Sequence, residues 1–279
     1  TDEVVLSGDG AGIVDAAAAE VIDGTELIRY SASLGDDLAA AIDDATRLVV
    51  TDTNRDRAHH WRGSQDVTGF TESGGTGSDV LRFESGDQRL PVFDTADADA
   101  QTVSIQNGPV VARASAYGEP FAYLPEHRPV MAIDGDLSTA WTVADRFDAV
   151  GEFIELRADA AIDHVTLRQP DPDPGARTIT AIDLAIDDRP PIRVDLDDRS
   201  LGGDGQRIDI EPTDDAATAR ITIVATSDPL PPIGPAIGGV GFAEIDLGLG
   251  LTTEYIRPPV DGLTASADAP DTPLTLVFS

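Results

Sequence analysis

Short apolar runs alternate with Ala-rich stretches along the first fifty residues. Residues 4–6, 26–30 and 48–52 read as strands. Residues 13–22 between them have a helical period, with Ile13, Val14, Ala17, Ala18 and Val21 on one face. Asp9 stands where a helix cap belongs. A second short helix, Asp-capped, is expected over 36–44, turning Leu38, Ala41 and Ile42 inward. Strands separated by helices predict a small parallel α/β unit, which we bound at residues 1–107.

The pattern changes downstream. Residues 54–75 are polar, and a Gly-rich loop follows at 72–77. Strands are expected at 80–83, 90–93 and 102–105. From about residue 108 the period is two. Residues 111–115, 153–156, 164–168, 179–186, 192–196, 207–210, 220–225 and 242–247 alternate apolar and polar positions and are split by Pro, Gly and Asp clusters. That spacing predicts an antiparallel β-sandwich over 108–249. Residues 250–279 read as a Pro-rich linker ending in a strand at 274–278 that returns to the first unit. The fold class expected is therefore α+β and multidomain.

Charge narrows the partners. The formal net charge is −32, and every basic residue is Arg. Such a field repels nucleic acid and anionic lipid. The acid excess also suits a salt-adapted or high-GC organism. Without Cys there is no disulfide, thiol nucleophile or Cys-bound zinc. No signal peptide and no membrane span is read in the sequence, and the chain reads as a piece of something longer.

One stretch carries specific chemistry: Met131-Ala-Ile-Asp-Gly-Asp-Leu-Ser-Thr-Ala-Trp141, followed by an apolar run at 152–156 and, far downstream, Gly241-Phe-Ala-Glu-Ile-Asp246. Together these resemble the discoidin, or coagulation-factor 5/8 type C, family of galactose-binding-like jelly rolls, which includes many carbohydrate-binding modules. The resemblance implies a structural calcium site. Its ligands would be the Met131 carbonyl, the Asp134 carboxylate, the Asp136 carbonyl, Thr139 through carbonyl and hydroxyl, the Ala243 carbonyl and the Glu244 carboxylate. Six to eight hard oxygens from a tight turn and two carboxylates are what Ca²⁺ requires. The same turn could instead close a hairpin with no metal. Trp141 is expected in the core.

In carbohydrate-binding members of that family the sugar meets loops at one end of the sandwich. Sugar contact asks for an aromatic face and fork-like polar donors. Tyr117, Tyr123, His127 and Arg128, with Arg168 and Gln169 from a neighbouring strand end, are the candidates. Each could instead pack on its own domain.

A longer resemblance runs through residues 48–57, Trp61, 69–72, 116–120 and the Asp-Gly-Asp turn. It is to the soluble region of actinobacterial α-(1→3)-arabinofuranosyltransferases, membrane glycosyltransferases of cell-wall arabinan synthesis. The resemblance implies a non-catalytic accessory region on the extracytoplasmic face. Its partners would be an arabinan-like cell-wall glycan and the membrane-embedded portion of the same polypeptide. A purely structural or protein-interaction scaffold is the alternative, and a glycoside hydrolase a more distant one, since that chemistry needs two differently tuned acids in a cleft.

Other motifs are weaker. Gly8-x-Gly10-x-Gly12 has the wrong spacing for a dinucleotide loop, and Asp9 would repel phosphate. Asp52-x-Asn54-x-Asp56 lacks the central Gly and closing Glu of a calcium-binding EF-hand loop. His59 and His60 could bind a transition metal. None of the four His residues lies in a nucleophile motif.

Overall fold

A computed structural model describes residues 2–55, 97–118, 125–143, 148–171, 176–227 and 239–278. The expectations for His59, His60, Trp61, Tyr123, the loop at 72–77 and the strands at 80–83 and 90–93 fall outside the described residues. The chain opens with β1 (Glu3–Ser7), α1 (Gly10–Ala18), β2 (Leu27–Tyr30), α2 (Leu38–Asp44) and β3 (Arg47–Thr51). Next come β4 (Val103–Asn107), β5 (Val110–Ala114), β6 (Trp141–Val143), β7 (Phe153–Ala158), β8 (His164–Arg168) and β9 (Ile179–Ile186). Then follow β10 (Ile192–Asp195), β11 (Gln206–Asp209), β12 (Ala217–Thr226), β13 (Val240–Phe242) and β14 (Glu244–Asp246). Last are β15 (Thr253–Arg257), α3 (Asp261–Ala265) and β16 (Leu274–Val277).

The first unit is a four-stranded sheet in the order β16-β3-β1-β2, and every pairing in it is parallel. Its central strands β1 and β3 are buried on both faces, packed against α2 on one side and α1 on the other. Asp9 caps α1, accepting from the Ala11 and Gly12 amides. That satisfies donors a helix start leaves orphaned. The buried face of α1 differs from the expected one. Gly12 and Ala16 are buried, whereas Val14 is 66% exposed and Ala17 and Ala18 face solvent. In an Ala-rich helix several registers share nearly the same apolar moment, and packing selects among them. In α2, Ala41 and Ile42 are buried, but Asp37 makes no side-chain cap bond.

The second part is an antiparallel β-sandwich. A five-stranded sheet in the order β10-β9-β12-β7-β5 shares one core with the three-stranded sheet β11-β8-β14. Ile154, Leu156, Ile182, Leu184, Ile221 and Ile223 supply one side, and Val165, Leu167 and Ile245 the other. The period of two seen in the sequence is the inside-outside alternation of these strands. Trp141 and Phe242 close the core on the paired strands β6 and β13. Their rings stack with centroids 6.2 Å apart, and the indole N–H donates to the Ala116 carbonyl at 2.8 Å. Gly241 lies opposite Thr142, and a Cβ there would sit 1.7 Å from the Trp141 oxygen, so only glycine lets the strands close.

The segment expected as a linker after residue 249 has structure of its own. β15 pairs with β4, and Arg257 donates to the Ala98 carbonyl and meets Asp99 at 3.1 Å. The prolines that suggested a loop lie just after β15, where they cost no ladder bond.

Candidate functional site

The turn between Ala132 and Trp141 is built by its own short polar side chains. Asp134 Oδ1 accepts from the Asp136 amide at 2.9 Å, and Asp136 Oδ1 accepts from the Ser138 amide and hydroxyl at 2.9 and 2.6 Å. The Ser138 bonds hold the Asp136 carboxyl below its ordinary range. That carboxylate is committed within the turn, so only the Asp136 carbonyl is turned inward. Gly135 adopts φ +77°, a left-handed conformation that glycine takes without strain, and the side chain of Leu251 lies over it.

The oxygens converge on one point. Thr139 Oγ1 lies 2.8 Å from the Asp136 carbonyl, 2.9 and 3.0 Å from the two Asp134 carboxylate oxygens and 3.3 Å from the Met131 carbonyl. A hydroxyl has one proton to donate, so it can satisfy only one of these four acceptors. Glu244 arrives from β14, 109 residues away in sequence, and accepts the Gly135 amide at 3.1 Å. Burial, followed by repulsion from Asp134 and Asp246, raises the Glu244 carboxyl to about 7, against the pull of the Gly135 N–H. Ala243 is buried directly before Glu244, between β13 and β14.

Two carboxylates, several carbonyls and one hydroxyl with too few protons among them make a donor set that suits a hard cation. Among the described residues no group of three or more His, Asp or Glu side chains forms a cage. The convergence here depends on main-chain oxygens. The Met131, Asp134, Asp136, Thr139 and Glu244 positions are brought together, with Ala243 adjoining.

The candidates for sugar contact are not gathered in this way. Tyr117 is 4% exposed and belongs to the core, and Gln169 is 3% exposed. The Gln169 amide bonds both the N–H and C=O of Ile179 and the Ser200 hydroxyl, tying β8 to β9. Neither presents a face to a ligand, which corrects the sequence reading: both side chains were needed inside. Arg128 is held by Glu254 at 2.6 Å, and Glu254 also accepts from the Ser104 hydroxyl. Arg168 donates to the Gly203 carbonyl at 2.7 Å and meets Asp171 at 3.6 Å. His127, in a single helical turn at Pro125–His127, is half-buried.

Sequence reasoning missed a second charged cluster. Glu155 on β7 lies directly opposite Arg113 on β5 and Arg220 on β12. Burial pushes its carboxyl upward, but the bonds from Arg220 and Arg113 prevail and hold it below its ordinary value. Alternating Arg and Glu along the strands was visible, but the strand order that brings them together was not.

No protein-family model matches the sequence, and no curated protein sequence does. Solved structures do superpose. The arabinofuranosyltransferase AftD from Mycobacteria, in two classes of its R1389S mutant, aligns with TM-scores of 0.53 and 0.51 at 17% and 18% identity. Each alignment covers 94% of this chain and 20% of that one. The chain shares its fold with a stretch of AftD. The coverage takes in the parallel sheet and the sandwich alike, and it amounts to one fifth of the length of AftD. A family 32 carbohydrate-binding module from C. perfringens NanJ, solved with galactose, aligns over 54% of this chain and 100% of its own, at 18% identity and a TM-score of 0.34. The expected fold class, a small parallel α/β unit followed by an antiparallel β-sandwich, is the one present. Among the described residues no helix is long and apolar enough to cross a membrane.

Proposed function

We propose that this chain is a non-catalytic, carbohydrate-binding accessory region of a cell-envelope glycosyltransferase of the arabinofuranosyltransferase class. It stands on the extracytoplasmic face beside the membrane-embedded portion of the same polypeptide, and its ligand is an arabinan-like glycan. The observation that carries this reading is the fold shared with AftD over 94% of the chain. The turn around Thr139 supports its second part, a structural Ca²⁺ ion held by Met131, Asp134, Asp136, Thr139, Ala243 and Glu244. When bound, such an ion supplies fixed charge and stiffness. The protein's own part is to tie the turn before β6 to β14 through the Gly135–Glu244 bond.

Calorimetric titration with arabinan fragments tests the reading. Saturable binding supports it, and no heat at millimolar fragment opposes it. A second reading, a rigid scaffold for a larger enzyme, is favoured by one observation: Tyr117, Gln169 and Arg128 are all engaged inside the protein. It predicts no glycan binding and an unchanged calcium response.

A further inference from the structure

The outer face of the five-stranded sheet carries a charge arrangement that neither the cation site nor the glycan reading uses. Glu155, with its side chain 5% exposed, accepts from Arg113 Nε at 2.8 Å and Nη2 at 2.6 Å. It accepts from Arg220 Nε and Nη2 at 2.9 and 2.6 Å. Arg157 stands one pleat along, with its Nε 3.6 Å from the same carboxylate. Three guanidiniums thus share a single negative charge, leaving two positive charges in excess. Their side chains are 49%, 44% and 61% exposed, so the outward N–H groups reach solvent.

The arrangement is stiff. Arg113, Glu155 and Arg220 form one cross-strand row, and Arg220 lies over the Phe153 ring with its guanidinium carbon 4.3 Å from the centroid. Guanidinium forks in fixed positions match carboxylates in pairs of hydrogen bonds. Of the nearby acids, Asp183 is ion-paired with Arg193 at 2.6 Å, while Glu152 is anchored by the Ser115 hydroxyl at 2.5 Å, a neutral donor that leaves its charge uncancelled. The chain as a whole carries a net charge of −32. Charges beyond about 8 Å are largely screened at physiological ionic strength.

The geometry points to an oxyanion site formed by Arg113, Arg157 and Arg220, taking the carboxylates of an acidic, uronate-bearing glycan. The backbone argues for a sugar over a peptide. β7 and β12 are hydrogen-bonded on both sides, so the centre of the face has no open edge to which a peptide strand could add. Recognition therefore rests on side chains, and the Thr218 and Thr222 hydroxyls lie on the same face as Arg220, beside the guanidiniums.

Calorimetry with galacturonate oligomers in sodium buffer at physiological ionic strength tests the site, with arabinan fragments, inorganic phosphate and an oligoglutamate peptide as parallel arms. Galacturonate is expected to bind, to weaken at high salt, and to bind about tenfold more weakly to Arg157→Gln, the loss of one charge-assisted contact. Arg157→Lys should recover part of that loss. Arg157 makes only the long contact to Glu155, so Arg157→Gln leaves the buried row intact. Arabinan binding should be the same in both proteins, which separates failure here from failure of the proposed function. Absent galacturonate binding, or binding indifferent to Arg157→Gln, overturns the site. Equal or tighter binding of phosphate or oligoglutamate overturns the assignment to an acidic glycan.

Discussion

Gly135→Ala perturbs the turn at the point where its geometry is most demanding. The residue sits at φ +77°. A non-glycine residue in the left-handed region costs about 1–2 kcal/mol. The new Cβ would also stand 2.7 Å from the Leu251 methyl carbons. Leu251 is 62% exposed and can swing aside, so this contact adds little beyond the backbone term. For a chain of this size the sum corresponds to a melting temperature lower by roughly 2–4 °C. Differential scanning calorimetry of wild type, Gly135→Ala and the double variant Gly135→Ala/Leu251→Ala separates the two contributions. Gly24→Ala is the control, since its φ is +88° with no atom within 4 Å of the added carbon. The two single variants should fall by similar amounts, with the double variant no better than additive. A Gly135→Ala protein that melts with wild type would mean the turn tolerates a side chain at this φ, and recovery on removing Leu251 would place the cost in the side-chain contact instead of the backbone.

Three further outcomes follow from the same structure. Wild type should melt higher with Ca²⁺ than with chelator, because an ion bound only by the native state stabilises it by mass action; Asp134→Ala should erase that difference in a thermal-shift titration. Glu155 has a folded-state pKa below its unfolded value, so its contribution is present above about pH 4.3 and is lost as pH falls through the lower folded value. Stability curves should accordingly show Glu155→Gln losing its disadvantage to wild type on acidification, and a gap that stays constant below pH 4 would contradict this. Gln169→Ala should destabilise by about 1–3 kcal/mol in urea, by stranding the buried polar groups of Ile179, while glycan affinity stays unchanged; a loss of affinity at unchanged stability would return Gln169 to the sugar site.

The legible parts of this protein were those set by local chemistry. Asp9 caps α1 because a short acid before a helix can reach its own neighbours' amides. The Asp134–Thr139 turn folds on itself through contacts within eight residues. The alternation in β8, β9 and β12 needed only a period of two. What was misread depended on distant partners. Arg128 reads in sequence as a ligand-facing fork, and its pairing with Glu254, 126 residues on, is not visible there. Gln169 is polar and sits near a strand end, yet Ile179 and Ser200 require it inside. The strand at β15 was hidden by its proline-rich surroundings, and β6 by its brevity. The arginine row around Glu155 depends on strand order, which local patterns do not encode.

Saturation-transfer NMR on arabinan oligosaccharides mixed with the intact chain in calcium is the most direct test of the central claim. Magnetisation transfer to the sugar protons is expected, and unlabelled longer arabinan should compete it away. Spectra free of transfer at every fragment length, from protein whose calcium response is intact, would contradict it.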